Sequence, residues 1–196
     1  MFRRWSERII FHYLLLIITF FSIQCSGETA IEYCRRVTNE GLYEFSLPCS
    51  WEISEPNKYT ISATEESTNN KLKTASIMLL VQFMPREVSE DEYLTISKQQ
   101  LLEKYSDVKF KNIYSTTISG YNGRCIEVEY TEDQDRLFSL SAFAVSSNTA
   151  LVFVAISPID KAKTMAAIFK KVLSSIHFDN SKKKPTNVEM GRNGDG

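Results

Sequence analysis

The chain is poor in the residues from which most catalytic and metal centres are built. It contains two histidines, and His12 lies inside an apolar N-terminal run, so His177 is the only one left to the rest of the molecule. Neither a multi-histidine metal site nor a pair of cooperating histidines can be assembled from one copy. Excess charge of one sign is also missing: 23 basic residues against 24 acidic ones give a net charge of −1, without the basic footprint of a nucleic-acid binder. Nucleic acid is therefore not an expected partner. The seven glycines make no phosphate-binding loop. Gly120 and Gly123 flank a turn and lack the longer glycine-rich loop between strand and helix that phosphate cradling requires. No internal repeat is evident, and 196 residues favour one domain over two.

What is present begins with an address. Arg3, Arg4 and Arg8 precede an apolar run from Ile9 to Ile23, broken by His12, Thr19 and Ser22, which is the order of an export signal. The run is about 15 residues, shorter than the roughly 20 of a membrane-spanning helix, so a cleaved signal over residues 1–25 is expected. Ser22-Ile23-Gln24-Cys25 puts a cysteine where bacterial lipoproteins carry their lipid, although Gln24 stands at a position that is normally small. Lipidation at Cys25, ordinary cleavage near Gly27 or Ala30, and an uncleaved anchor all remain open. Loss of three arginines against Glu7 would leave a mildly acidic mature surface.

Export permits disulfides. Cys34 and Cys49 bracket a short segment whose closure would contribute about 3 kcal/mol in the chain-entropy account. Cys125 would then be free. The alternative is that all the cysteines are small buried apolar residues without a bond.

Beyond a lead segment at 26–40, Leu42–Leu47 alternates as a half-buried strand and Pro48 ends it, with Trp51 in the following turn. Tyr59–Ala63 reads as extended and residues 65–71 as a polar loop. Ala75–Phe83 is apolar on both parities, as a strand covered on both faces would be. Ser89 and Glu92 form a capping box for a helix reaching about Tyr105, with Tyr93, Ile96, Leu101 and Leu102 as its apolar stripe. Three strands at Lys109–Ile118, Arg124–Thr131 and Arg136–Val145 are separated by hairpin turns at residues 120–123 and 133–135. Ala150–Ile156 is another doubly apolar strand. A final helix is expected to start at Ser157-Pro158, and Ala162, Met165, Ala166, Phe169, Val172, Leu173 and Ile176 lie on one face of it. From Asp179 onward the chain offers almost nothing to bury and reads as a disordered polar tail, 179–196.

The order of these elements, with Tyr43-Glu44-Phe45-Ser46-Leu47-Pro48-Cys49-Ser50-Trp51, Ile118-Ser119-Gly120-Tyr121-Asn122-Gly123 and Leu173-Ser174-Ser175-Ile176, resembles the PsbP-like superfamily, which includes DcrB-type bacterial lipoproteins. The resemblance covers roughly Gly41 to Phe178. In the common form a glycine precedes the tryptophan, where this chain has Ser50. It implies an α+β fold over 41–178, an antiparallel β-sheet flanked by helices in an α/β/α sandwich. The superfamily is similar to extrinsic photosystem subunits, a nuclear GTPase-binding factor and envelope lipoproteins, which mostly bind proteins rather than catalyse. No functional residue is carried over.

Chemistry-bearing residues each have a plain structural reading. His177 is expected to end the last helix, its charged form facing the negative end of the helix dipole. A Cys125–His177 nucleophile pair is allowed by spacing alone. Glu127 and Glu129, with Asp133 and Asp135, could frame a hard cation, but no calcium-loop spacing supports that over a solvated edge. Trp51, Tyr59 and Tyr121 could form an aromatic contact site or close the core. Lys182, Lys183 and Lys184 could touch anionic lipid or be merely solvated. The expectation is a non-enzymatic, exported or lipid-anchored protein of the bacterial cell envelope, without cofactor or bound metal. It would touch the membrane through its N-terminus and bind another envelope protein in assembly or maintenance of a complex. The alternative is a small-ligand or metal-binding module in the same place.

Overall fold

A computed structural model describes residues 30–38, 40–66, 74–179 and 181. The export segment with Cys25, most of the 65–71 loop and nearly all of the 179–196 tail lie outside them. Among the described residues the strands are β1 (Tyr33–Val37), β2 (Tyr43–Pro48), β3 (Glu52–Asn57), β4 (Thr60–Thr64), β5 (Ser76–Phe83), β6 (Ser106–Ile118), β7 (Tyr121–Glu132), β8 (Asp135–Ser146), β9 (Thr149–Pro158) and β10 (His177–Phe178). The helices are α1 (Glu90–Lys104) and α2 (Ala162–Ser175), the latter preceded by a short 3₁₀ turn at Ile159–Lys161.

The fold is α+β. Seven strands form one antiparallel sheet in the order β3-β4-β5-β9-β8-β7-β6, and a second sheet of three has the order β1-β2-β10. One face of the large sheet, with Ile77, Leu79 and Val81 of β5, Phe153 and Ala155 of β9, and Leu140 and Ala142 of β8, is covered by α2 and by Leu42, Phe45 and Leu47 from the small-sheet side. The other face, with Val152 of β9, Phe143 of β8 and Ile126 and Val128 of β7, is covered by α1.

Helix α2 follows its sequence pattern, burying Met165, Ile168, Phe169, Val172 and Leu173, each contributing about 1.5–3 kcal/mol. Its end is tied to the small sheet, since Ser175 Oγ accepts from the Ser46 amide at 2.8 Å. Its start differs from expectation. Ser157 and Pro158 still belong to β9, because that strand stays paired with β8 as far as Leu137–Pro158, and the helix begins only at Ala162. Helix α1 begins where expected, with Ser89 Oγ accepting from the Glu92 amide at 3.1 Å. The capping box is half closed, however: the Glu92 carboxylate turns to Arg86 instead of the cap amide. Tyr93 and Leu94 pack on the sheet, Tyr93 at 4.6 Å from Phe143, while Ile96 and Leu102 face outward.

Other departures have local causes. The lead segment contributes β1, which pairs antiparallel with β2 despite its adjacent arginines. β3 was invisible to periodicity because all six of its residues are exposed, and Pro56, lacking a donor, coincides with a register shift between Ser54 and Asn57. β5 is covered on its α1 face only in part: Leu80 packs there and Gln82 accepts from the Tyr93 hydroxyl of α1 at 2.7 Å, but Met78 is left exposed. Ser119 and Gly120 both adopt positive φ, 53° and 80°, giving the primed turn that a two-residue hairpin needs. Gly123 is a strand residue of β7, not a turn glycine, and it permits a close crossing: a Cβ there would stand 2.1 Å from the Phe143 carbonyl oxygen. Gly123→Ala is therefore expected to destabilise the protein by roughly 2 kcal/mol or more, since backbone rather than a flexible side chain must move. Urea unfolding of the two proteins checks this, and equal midpoints would refute the crossing.

Candidate functional site

The reactive side chains collect where β6 and β7 pass under α2. Cys125 and Glu127 share one parity of β7 and point to the α2 face of the sheet. Glu127 is buried. Its carboxylate accepts from Lys170 Nζ of α2 at 2.6 Å, from Asn112 Nδ2 at 2.6 Å and from the Tyr114 hydroxyl at 3.2 Å. Burial favours the neutral acid, yet these donors outweigh it and hold Glu127 below the usual carboxylate range. Tyr114, between Glu127 and the Cys125 sulfur, is raised first by burial and then by its contact with that thiol.

Cys125 is fully buried, and burial, with a smaller contribution from the Glu127 charge, pushes its thiol up to about 11. A thiol in that state is a poor nucleophile. His177 does not join it. The histidine lies in β10, opposite Glu44 of β2, and has left the helix whose end it was expected to cap because the chain turns at Ile176 to pair with the small sheet. The acidic residues do not frame a cation either. Glu129 lies 3.3 Å from Lys111 and 3.7 Å from Arg136, so its charge is already answered. Among the described residues no cluster of potential metal ligands occurs. A cleft of 360 Å³ opens beside this network, with Tyr114 and Lys170 on its wall and Thr116, Ser119 and Ser174 at its rim.

The second concave feature lies between the outermost strands of the two sheets. A groove of 420 Å³ has Arg36 and Val37 of β1 and Thr38 on one side, Ile53 and Glu55 of β3 on the other, and buried Phe45 and Ile61 at its floor. It runs on through Thr38 and Glu55 into a hollow of 200 Å³ beside Glu40, Asn57 and Lys58. Cys34 and Cys49 are bonded to each other, their Cα atoms 5.0 Å apart, which joins β1 to the turn after β2. That turn supplies the one acceptor Arg36 has among the described residues, the Cys49 carbonyl at 3.3 Å from Nη2; its buried Nε has none.

No protein-family model and no curated protein matches the sequence. Solved structures do match in shape. LpqN of Mycobacterium tuberculosis, involved in cell envelope biogenesis, superposes with a TM-score of 0.55 at 9% identity, covering 76% of this chain and 92% of LpqN. Cyanobacterial PsbP from Synechocystis gives 0.53 at 13% identity over 80% of this chain and 98% of that one. The Saccharomyces cerevisiae Ran-binding protein Mog1p gives 0.58 at 8% identity, with 78% and 99% covered. The chain has a PsbP-like fold. At such identities the likeness speaks for the fold alone.

Within this PsbP-like domain the three aromatic residues singled out in the sequence separate. Trp51 is core, 5% exposed. Tyr59 meets Phe83 edge-on at 5.2 Å, and its carbonyl accepts from the Tyr43 hydroxyl. Tyr121 borders a small pocket of 40 Å³ with Val81 and Phe178. The sequence reading missed Lys170 and Arg36. Lys170 carries no local signal of its pairing, and Arg36 lies in a segment with no periodicity to interpret. No helix of the described residues is long and apolar enough to cross a membrane.

Three measurements probe the buried network. Because the Glu127 pKa is lowered on folding, its contribution to stability is complete above the ordinary carboxylate value of 4.5 and is lost as pH falls through the native value. Glu127→Gln should thus be less stable than the parent at pH 7, with the difference shrinking as pH falls below 4.5. Lys170→Met should cost roughly 1–2 kcal/mol at pH 7, less than a fully enclosed pair because Lys170 is half exposed. Cys125 should react with a thiol reagent only at the rate of unfolding; rapid labelling of the native protein would mean the site is open.

Proposed function

We propose that the chain is a non-enzymatic, exported protein of the bacterial cell envelope whose PsbP-like domain binds another protein in assembly or maintenance of a complex. The observation that carries this reading is the contrast between its two concavities. The residues with reactive chemistry, Cys125, Tyr114 and Glu127, satisfy one another under α2. The groove between β1 and β3 instead leaves apolar groups and charges of both signs facing solvent, with Val37 56% and Ile53 36% exposed. Open surface of that kind suits a macromolecule better than a reaction.

The address rests on the N-terminal order of Arg3, Arg4 and Arg8 before an apolar run, followed by Cys25. A diacylated Cys25, as in the DcrB-type lipoproteins, would hold the domain at a membrane surface, and the bonded Cys34 and Cys49 suit an oxidising compartment. The part LpqN plays in cell envelope biogenesis and the Ran binding of Mog1p are consistent with both halves of the proposal.

Intact mass and N-terminal sequence of the protein from membrane and soluble fractions of its host test the address. A chain starting at Cys25 with added acyl mass is the expected result. An unmodified start near Gly27 to Ile31 would remove the lipid and keep export, and a chain retaining Met1 in the soluble fraction would end the export reading. Chemical crosslinking in intact cells tests partner binding, with a discrete crosslinked species as the expected outcome.

A further inference from the structure

We infer that the groove between β1 and β3 is a docking site for an extended, acidic peptide segment of a partner protein, with Arg36 receiving its carboxylate. This rests on the protein-binding reading above and names the chemistry of the partner.

The shape selects an extended occupant. Among the described residues β1 and β3 are each the last strand of their sheet, so neither has a neighbouring strand on its outer edge. Such edges pair readily with an added strand, and main-chain hydrogen bonds then supply affinity while side-chain pockets supply selectivity. Along β3, Ile53 and Glu55 share one parity and both line the groove, while Val37 stands across from them. An apolar side chain of a bound strand would cover Ile53 and Val37 over the floor of Phe45 and Ile61, and its neighbour two residues along would reach Arg36 or the adjoining hollow.

The charge selects an acidic occupant. Arg36 has five guanidinium donors and one long bond, to the Cys49 carbonyl, among the described residues. Its Nε is shielded from water without an acceptor, a costly arrangement for a cation unless an acceptor is supplied. The groove also carries Glu55 on β3, which is not bonded to Arg36, and Lys58, which pairs with Glu40 at 3.1 Å, so neither supplies it. A carboxylate meeting the guanidinium in bidentate fashion would satisfy both the geometry and the charge. The disulfide two residues before Arg36 keeps its strand beside the Cys49 turn, so the guanidinium is held in place before a ligand arrives.

The test is selection of binders to the oxidised, full exported domain from a library of random twelve-residue peptides displayed on phage, followed by fluorescence anisotropy with the selected peptides synthesised. The expected result is enrichment of peptides that combine β-branched residues with an aspartate or glutamate, and at least about tenfold weaker binding on Arg36→Gln. Replacing the acidic residue in the peptide by its amide should produce a loss of similar size, and combining both changes should add little. Ile53→Thr, which keeps a β-branched residue at an exposed position of the outer strand, should also weaken binding while leaving the melting temperature unchanged, which separates the groove from folding. Selected peptides without an acidic residue, binders indifferent to Arg36→Gln, or no binders at all would overturn the inference. So would binding confined to phosphatidylglycerol vesicles, which would make the groove a lipid site. The crosslinked species in cells tells the two levels apart: if it persists with Arg36→Gln, the groove is wrong and partner binding stands, whereas its absence from the parent chain removes both.

Discussion

Everything else in the molecule follows from a sheet whose middle is apolar on both sides. In β9, Ala150, Leu151, Val152 and Phe153 are buried in succession, and β8 buries Leu137, Phe138, Leu140, Ala142, Phe143 and Ala144. Such strands cannot present either face to water without losing the burial that offsets chain entropy. Two covers are required, and the described residues supply two helices. α1 closes one face, and α2 with the small sheet closes the other.

The covers are unequal, and their limits determine where surface is left open. α1 spans the β9 to β6 half, touches β5 only at Leu80 and Gln82, and leaves Met78 exposed. On the other face the small sheet overlaps β4 and β5, but the outermost strand, β3, has no buried residue. The groove at Arg36, Val37 and Ile53 is the gap between two layers that do not meet at their edges. Cys125 lies at the opposite extreme, fully buried, which is why its thiol is quiet.

Much of this architecture is legible in the chain. Long strands with clear turns, β6 to β9, announce themselves through apolar runs and the Gly120 and Asp133 hairpins, and α2 through its repeating stripe. The motifs around Trp51 and Gly120 pointed to the fold that LpqN, cyanobacterial PsbP and Mog1p share in outline. What stayed hidden was set by contacts between distant segments. β3 carries no alternation because nothing covers it, and β1 is a strand because β2 pairs with it, not because Arg35 and Arg36 favour extension. Neither concavity could be read locally: Glu127 needs Lys170 from another element, and the groove draws on β1, β2, β3 and β4 at once.

The Glu127–Lys170 pair also decides how α2 seats. An apolar stripe is tolerant of sliding, since a helix moved by one turn, about 5.4 Å, still presents aliphatic residues to a greasy surface. A one-turn slip here would bring Ala166 or Ser174 over Glu127 in place of Lys170 and strand a carboxylate in the core. The pair thus acts as a key that fits one seating of the helix on the sheet, and because Ser175 is fixed to Ser46 one turn further on, the same seating sets where β10 and the small sheet come to rest.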